Sequence, residues 1–208
     1  MGLTDRTVKD FLEALAASTP TPGGGSVAAL CGALSAALSR MVSGLAIGKQ
    51  GYEPVQEDLK LLEPRARDIQ SRLVALIDSD AQAYEAVVVA MKRPKGTDAE
   101  KAARGAAIQE AYLRASEVPL QTMEACSEAL EIALVAAQKG NRNAVTDAGA
   151  AALTADAGLR AASLNVRINL GALRDVAART RIQTRLDDLL KRAGERSGEV
   201  LAAVEGRM

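Results

Sequence analysis

Apolar residues recur along this chain at intervals of three and four, and no segment longer than a few residues alternates as a strand would. Val8, Phe11, Leu12 and Leu15 form a first stripe, with Thr4 placed to cap it, and the stretch Ser18 to Gly25 breaks it. From about Ser26 to Ile47, Leu30, Leu34, Leu38, Met41, Val42 and Leu45 share one broad face of a second helix. Ala29, Gly32, Ala33, Ala36 and Ala37 give the same helix small surfaces where another backbone can come close. A helix apolar nearly all round belongs at the centre of a bundle or in an oligomer interface. Gly48 to Pro54 reads as a loop, with Gly48 as a C-cap and Pro54 opening a third helix over about Val55 to Lys92, kinked at Pro64. Thr97 and Glu100 spell a capping box for a fourth helix that runs to about Gln138 and contains Pro119. Beyond the polar break Lys139 to Asn143, an alanine-rich fifth helix covers about Ala144 to Leu170. A charged amphipathic segment, about Leu173 to Val204, follows on the outside. The pattern predicts an all-α fold: one domain over residues 1–208, built as a bundle of five or six long, partly kinked helices.

Composition narrows what such a bundle can do. Lys+Arg and Asp+Glu both number 26, so the formal net charge is zero and no basic surplus points to nucleic acid or an anionic membrane. Histidine is absent, which excludes Ser-His-Asp and Cys-His machinery and any zinc site with an imidazole ligand. Cys31 and Cys126 sit in apolar helical surroundings and read as buried structural thiols rather than a functional pair, as suits a reducing cytoplasm. The N-terminus lacks the apolar core of a signal peptide, and the run Val27 to Ser39 is too short to span a bilayer, so a soluble protein is expected.

Several polar features look out of place on this background. Pro20-Thr21-Pro22-Gly23-Gly24-Gly25-Ser26 ends one helix and opens another, and glycines ahead of a helix N-terminus expose N–H groups that can hold an anion or a polar ring edge. The plain alternative is a tight interhelical turn, and the spacing does not fit a dinucleotide fingerprint. Asp80 lies within an apolar run, four before Tyr84, and a carboxylate stripped of water can exchange protons near neutrality; a boundary-facing acid is the competing reading. Asp78, one face round, should be solvated. Asn141, Asp147 and the i,i+4 pair Asn165 and Asn169 could read the donors and acceptors of a heterocycle, or cap and bridge helices. Lys49 is a cation beside a glycine-bearing loop, suited to a carboxylate-bearing ligand or to the helix dipole.

Taken in order, these stretches resemble the cyclodeaminase/cyclohydrolase family of folate enzymes, from Phe11 to about Asp175. The matching segments are Pro20 to Ala29, Met41-Val42 through Gly48-Lys49 to Tyr52, Asp80-Ala81-Gln82-Ala83-Tyr84, Pro94-Lys95 and Val118-Pro119-Leu120. Gly140-Asn141, Thr146-Asp147-Ala148-Gly149 and Asn165-Val166-Arg167-Ile168-Asn169 complete the set. The resemblance implies a helical homodimer of one-carbon metabolism, without cofactor or metal, acting on tetrahydrofolate derivatives. It implies methenyltetrahydrofolate cyclohydrolase activity, with formiminotetrahydrofolate cyclodeaminase as the alternative; a non-catalytic helical dimer is the competing class. The family's proposed catalytic aspartate falls on Asp80, with Lys49 assigned to the glutamate carboxylates or an oxyanion. Pro22, Gly23, Gly24, Gly25, Ser26, Tyr84, Asn141, Asp147, Asn165 and Asn169 are the expected substrate-binding residues. Gln50 and Arg93 depart from the family pattern, which bears on substrate preference, including tail length, more than on the reaction.

Overall fold

The computed structural model describes residues 2–208, and those residues form helices and turns with no strand among them. Six helices follow one another: α1 Val8–Ala16, α2 Gly24–Gly44, α3 Gln56–Met91, α4 Asp98–Lys139, α5 Val145–Leu170 and α6 Val176–Glu205. Short 3₁₀ turns stand at Leu3–Asp5, Glu53–Val55 and Arg142–Ala144. The capping box at Thr97 and Glu100 is present. At α1 the cap is Thr7, not Thr4, because Thr7 is the residue whose hydroxyl reaches the Asp10 N–H. The α1 stripe is also narrower than its spacing implies: Phe11 is buried, whereas Val8 and Leu12 face solvent.

Helices α2 to α5 pack into a four-helix arrangement, with α6 laid across α4 and α5. The residues that bring the backbones together are the small ones. Ala28, Ala29, Gly32, Ala33, Ala36 and Ser39 of α2 are buried, while Leu34, Met41 and Leu45 stay exposed. The small-residue surface is thus the one where other backbones come close, as its composition suggests, while of the broader apolar face Val42 is buried and Leu34, Met41 and Leu45 are left outside. Close approach explains it, since a Cβ on Gly158 of α5 would stand 2.6 Å from the Ala28 carbonyl oxygen. One on Gly32 would stand 2.6 Å from Cys126 Sγ. Large side chains cannot occupy such a seam. Cys31 and Cys126 meet there as free thiols, and burial pushes the Cys126 thiol up to about 12, with Cys31 adding to the effect.

Alpha2 is also longer than the Val27–Ser39 run, and by length and composition alone its 21 residues could cross a membrane. Over half of its most apolar 18-residue stretch is buried inside the bundle.

Both internal prolines are accommodated without ending their helices, which run continuously through Pro64 and Pro119. α2 and α5 lie antiparallel. The α2 start is beside Asn165 near the end of α5, and the Asn141 N–H just ahead of α5 donates to the Val42 carbonyl near the end of α2. The bundle therefore has two distinct ends, about 30 Å apart along the 21 residues of α2 at 1.5 Å each.

Candidate active site

At the end where α2 begins, the proline–glycine loop, α3, α4 and the last turn of α5 enclose a cleft of about 710 Å³. Gly23, Gly24 and Gly25 form one wall, Asp80 and Tyr84 of α3 the floor and rim, Tyr112 and Ala115 of α4 the far side. Asn165 and Asn169 of α5 close it. A larger hollow between α4 and α6 is a shallow surface groove whose charges are already consumed, Arg181 with Glu117 and Arg185 with Glu124. The cleft holds a carboxylate, Asp80, outside any ion pair, whereas the charges lining the groove are all paired.

Asp80 is half-buried, and loss of water raises its carboxyl above the ordinary aspartate range. The Ser26 hydroxyl, 3.3 Å from Oδ2, and the Ser26 peptide N–H oppose that rise by favouring the carboxylate. Ser26 itself is fully buried, its hydroxyl also 2.9 Å from the Ile77 carbonyl oxygen, so it supports Asp80 from behind and does not line the cleft. Pro22 is likewise buried behind the loop, leaving Pro20 and Thr21 at the cleft surface. Gly25 is the glycine that the geometry requires: a Cβ there would stand 2.0 Å from Asp80 Oδ1. At Gly24 the nearest atom to an added Cβ is Asn165 Nδ2 at 3.8 Å. The loop's need for glycine is thus a need for room beside one carboxylate.

Asp78 is not free in solvent as its position on the helix suggests. Its Oδ1 accepts from the Leu3 N–H at 2.7 Å and Oδ2 from the Thr4 hydroxyl, pinning the N-terminal turn to α3 two residues before Asp80.

Lys49, Asn141 and Asp147 are not brought to this cleft within the chain. They stand at the opposite end of the bundle. Asn141 is buried, donating to the Leu45 carbonyl at 2.9 Å and accepting from the Asn143 N–H, which ties the α4–α5 turn to the end of α2. Asp147 is in the first turn of α5, and Lys49 is exposed in the loop after α2. Conversely, Tyr112 and Ile168 line the cleft and were not anticipated. Tyr112 lies one turn before the buried Ala115 on α4, and the only local signal for that region is the proline at position 119. Among the described residues, no three of His, Cys, Asp and Glu stand together as a metal ion would need.

Comparison with known proteins gives a consistent picture. The formiminotransferase-cyclodeaminase family model matches residues 7–188. A methenyltetrahydrofolate cyclohydrolase from Methylorubrum extorquens is 43% identical over 204 residues, covering 98% of both chains. The formimidoyltransferase-cyclodeaminase of Rattus norvegicus is 33% identical over 99% of this chain, which spans only 38% of that longer protein. A crystal structure of formiminotetrahydrofolate cyclodeaminase from Thermotoga maritima superimposes with a TM-score of 0.87 at 27% identity, over 97% of this chain and 96% of that one.

Proposed function

Because the chain belongs to the formiminotransferase-cyclodeaminase family, we propose that it is a methenyltetrahydrofolate cyclohydrolase, opening 5,10-methenyltetrahydrofolate to 10-formyltetrahydrofolate. The observation that carries this reading is full-length similarity to a protein of that name, combined with one partly desolvated carboxylate facing a cleft of suitable size.

The substrate carries a cation delocalised over two nitrogens and the bridging carbon, so the electrophile arrives activated. Asp80 takes a proton from water as its oxygen attacks that carbon, and its negative charge stabilises the amidinium beside it. The same carboxyl then returns the proton to the departing nitrogen; that carbon–nitrogen bond breaks as the C–O bond becomes a carbonyl, the hydroxyl proton leaves to solvent, and the formyl group stays on the other nitrogen. Desolvation suits the first role by making the carboxylate a stronger base, and the cationic substrate supports the same role by holding Asp80 ionised until water attacks. Gly25 lets the α2 backbone approach Asp80, and Asn165, Asn169, Tyr84 and Tyr112 provide hydrogen-bonding groups around the ring system. The scheme uses water and the folate alone.

We further propose that the protein works as a homodimer. Leu34, Met41 and Leu45 on α2 and Leu153 and Leu164 on α5 leave two neighbouring helices with exposed apolar side chains, which a second copy would cover. Antiparallel pairing of that face carries the Lys49 end of one copy towards the cleft end of the other, where the cation would meet the substrate's glutamate carboxylates. A metabolic enzyme of this kind would operate in the cytoplasm.

Formiminotetrahydrofolate cyclodeaminase activity is the second reading, favoured by the Thermotoga maritima neighbour. One assay separates the two. Purified protein is offered each folate in turn, and loss of the methenyl chromophore is followed against ammonia release. Turnover of the methenyl compound without ammonia from the formimino compound is the expected outcome; the reverse would make the chain a cyclodeaminase.

A further inference from the structure

Pro119 is buried in the middle of α4, where a proline ordinarily costs stability because it has no N–H for the carbonyl four residues back. That carbonyl belongs to Ala115, which lines the cleft. It is not left without a donor: the side-chain amide of Asn169, crossing from α5, donates to it through Nδ2 at 2.6 Å. A backbone carbonyl can only accept, so this contact fixes which end of the Asn169 amide faces α4. Nδ2 is committed, and Oδ1 is the end left over for the cleft that Asn169 lines. Asn165, one turn earlier, donates Nδ2 to the Ala161 carbonyl of its own helix at 3.3 Å.

From this juxtaposition we propose that Pro119 is a positioning residue. By withholding a helical N–H from the Ala115 carbonyl, it reserves that carbonyl for Asn169 and so presents Asn169 Oδ1 to the ligand as a fixed acceptor. The ligand group it fits is a ring N–H or exocyclic amino donor, as found on an amino-pyrimidine edge. This deepens the cyclohydrolase reading and rests on it for the identity of the ligand, but the hydrogen-bond device is a property of the chain alone. The physical logic is competition. With any other residue at 119, the α-helical N–H would return to the Ala115 oxygen and displace the Asn169 amide, which would then be free to rotate. Pro64 on α3 shows that a proline within a helix of this protein need not serve such a purpose, since it stands far from the cleft towards the other end of the bundle.

The test uses the full chain labelled with ¹⁵N and ¹³C. In the unsubstituted protein, a through-hydrogen-bond coupling between Asn169 Nδ2 and the Ala115 carbonyl carbon is expected, together with slowed exchange of the Asn169 side-chain amide protons. Its absence overturns the proposal without recourse to any variant or any turnover. In Pro119→Ala that coupling should vanish and side-chain exchange should rise about tenfold, the change expected for losing one ordinary hydrogen bond. The Tm should hold or increase as the helical bond is restored. With 5,10-methenyltetrahydrofolate, Pro119→Ala should then lose about tenfold in kcat/KM, chiefly through KM. Asn169→Ala should lose a similar amount, and the double variant no more than Asn169→Ala alone. Losses that multiply in the double variant, or a Pro119→Ala protein with kcat/KM within twofold of the original, contradict the positioning role. If no folate is turned over, the coupling and exchange results still decide the device, and only the ligand assignment fails.

Discussion

In the proposed mechanism a single carboxylate carries the chemistry of the cleft, and its neighbours set the state of that carboxyl. Burial raises Asp80 and the Ser26 hydroxyl and N–H pull it back, so the balance between them places the pH at which it can act as a base. The attacking step needs the ionised form, and the rate therefore falls as pH drops through the Asp80 titration. Ser26→Ala removes one of the groups that favour the carboxylate. The acid limb of its kcat profile should move to higher pH, which a pH–rate series on both proteins measures. Stability runs the opposite way. An aspartate whose pKa is raised on folding favours the folded state when protonated, and that advantage is lost as pH rises from the ordinary aspartate value, near 3.9, through the raised one. Asp80→Asn should accordingly have a higher Tm than the original at pH 7.5, with the difference shrinking towards pH 4, as thermal melts across that range would show. Gly25 is the other residue with no substitute. A methyl group there would meet Asp80 Oδ1 at 2.0 Å, so Gly25→Ala should lose at least about tenfold in kcat by displacing the base, a shift of ~1.4 kcal/mol in the barrier. Gly24→Ala, with 3.8 Å of clearance, should stay within about threefold, and equal losses at the two glycines would refute this division.

At the scale of the helices, spacing and end signals found each element, because both are written locally. Thr97 and Glu100 satisfy each other within one turn, and three- and four-residue apolar intervals need no partner to be recognised. What spacing did not reveal is which residues make the contacts. The sequence offers both a leucine-bearing and a small-residue face for α2, and alanine, glycine and serine make the closest contacts, because the approach to α5 at Gly158 and to α3 and α4 at Gly32 admits nothing larger. Gly158→Ala would drive a methyl group to 2.6 Å from the Ala28 carbonyl oxygen and 3.2 Å from Cys126 Sγ. Overpacking of that kind costs about 1–3 kcal/mol, and it should appear as a lower denaturation midpoint with unchanged helicity below it. Retained stability would mean that α2 and α5 can separate without cost. Pro119 belongs to this scale as well. Alone it reads as a kink; its purpose is visible only once α5 places Asn169 beside the carbonyl that the proline leaves free.

Across the whole molecule, antiparallel packing decides which motifs become a site. The glycine loop, Asp80, Tyr84, Asn165 and Asn169 lie on three separate stretches of chain and converge on one cleft. Lys49, Asn141 and Asp147 carry equally conspicuous local patterns and arrive at the other end of α2, because a helix of 21 residues carries the chain about 30 Å. Periodicity tells which face a residue occupies and says nothing about which end of a neighbour it will meet. Asn141 has a local purpose there, closing the α4–α5 turn onto α2. The exposed leucines and methionine of α2 supply the remaining whole-molecule feature. Leu34→Glu with Met41→Glu should shift the protein to half its assembled mass in light scattering if two copies cover that face, while retaining helicity. An unchanged mass would rule the face out.

Whether Asp80 serves as the base for water attack on the methenyl bridge is decided by following the absorbance of 5,10-methenyltetrahydrofolate with the original protein and with Asp80→Asn, in a buffer where spontaneous hydrolysis is slow. Rapid loss is expected with the former and a kcat about 10²- to 10⁴-fold lower with the latter, folate binding persisting in a thermal-shift control. An Asp80→Asn protein that still binds folate and turns it over at the original rate would contradict that role.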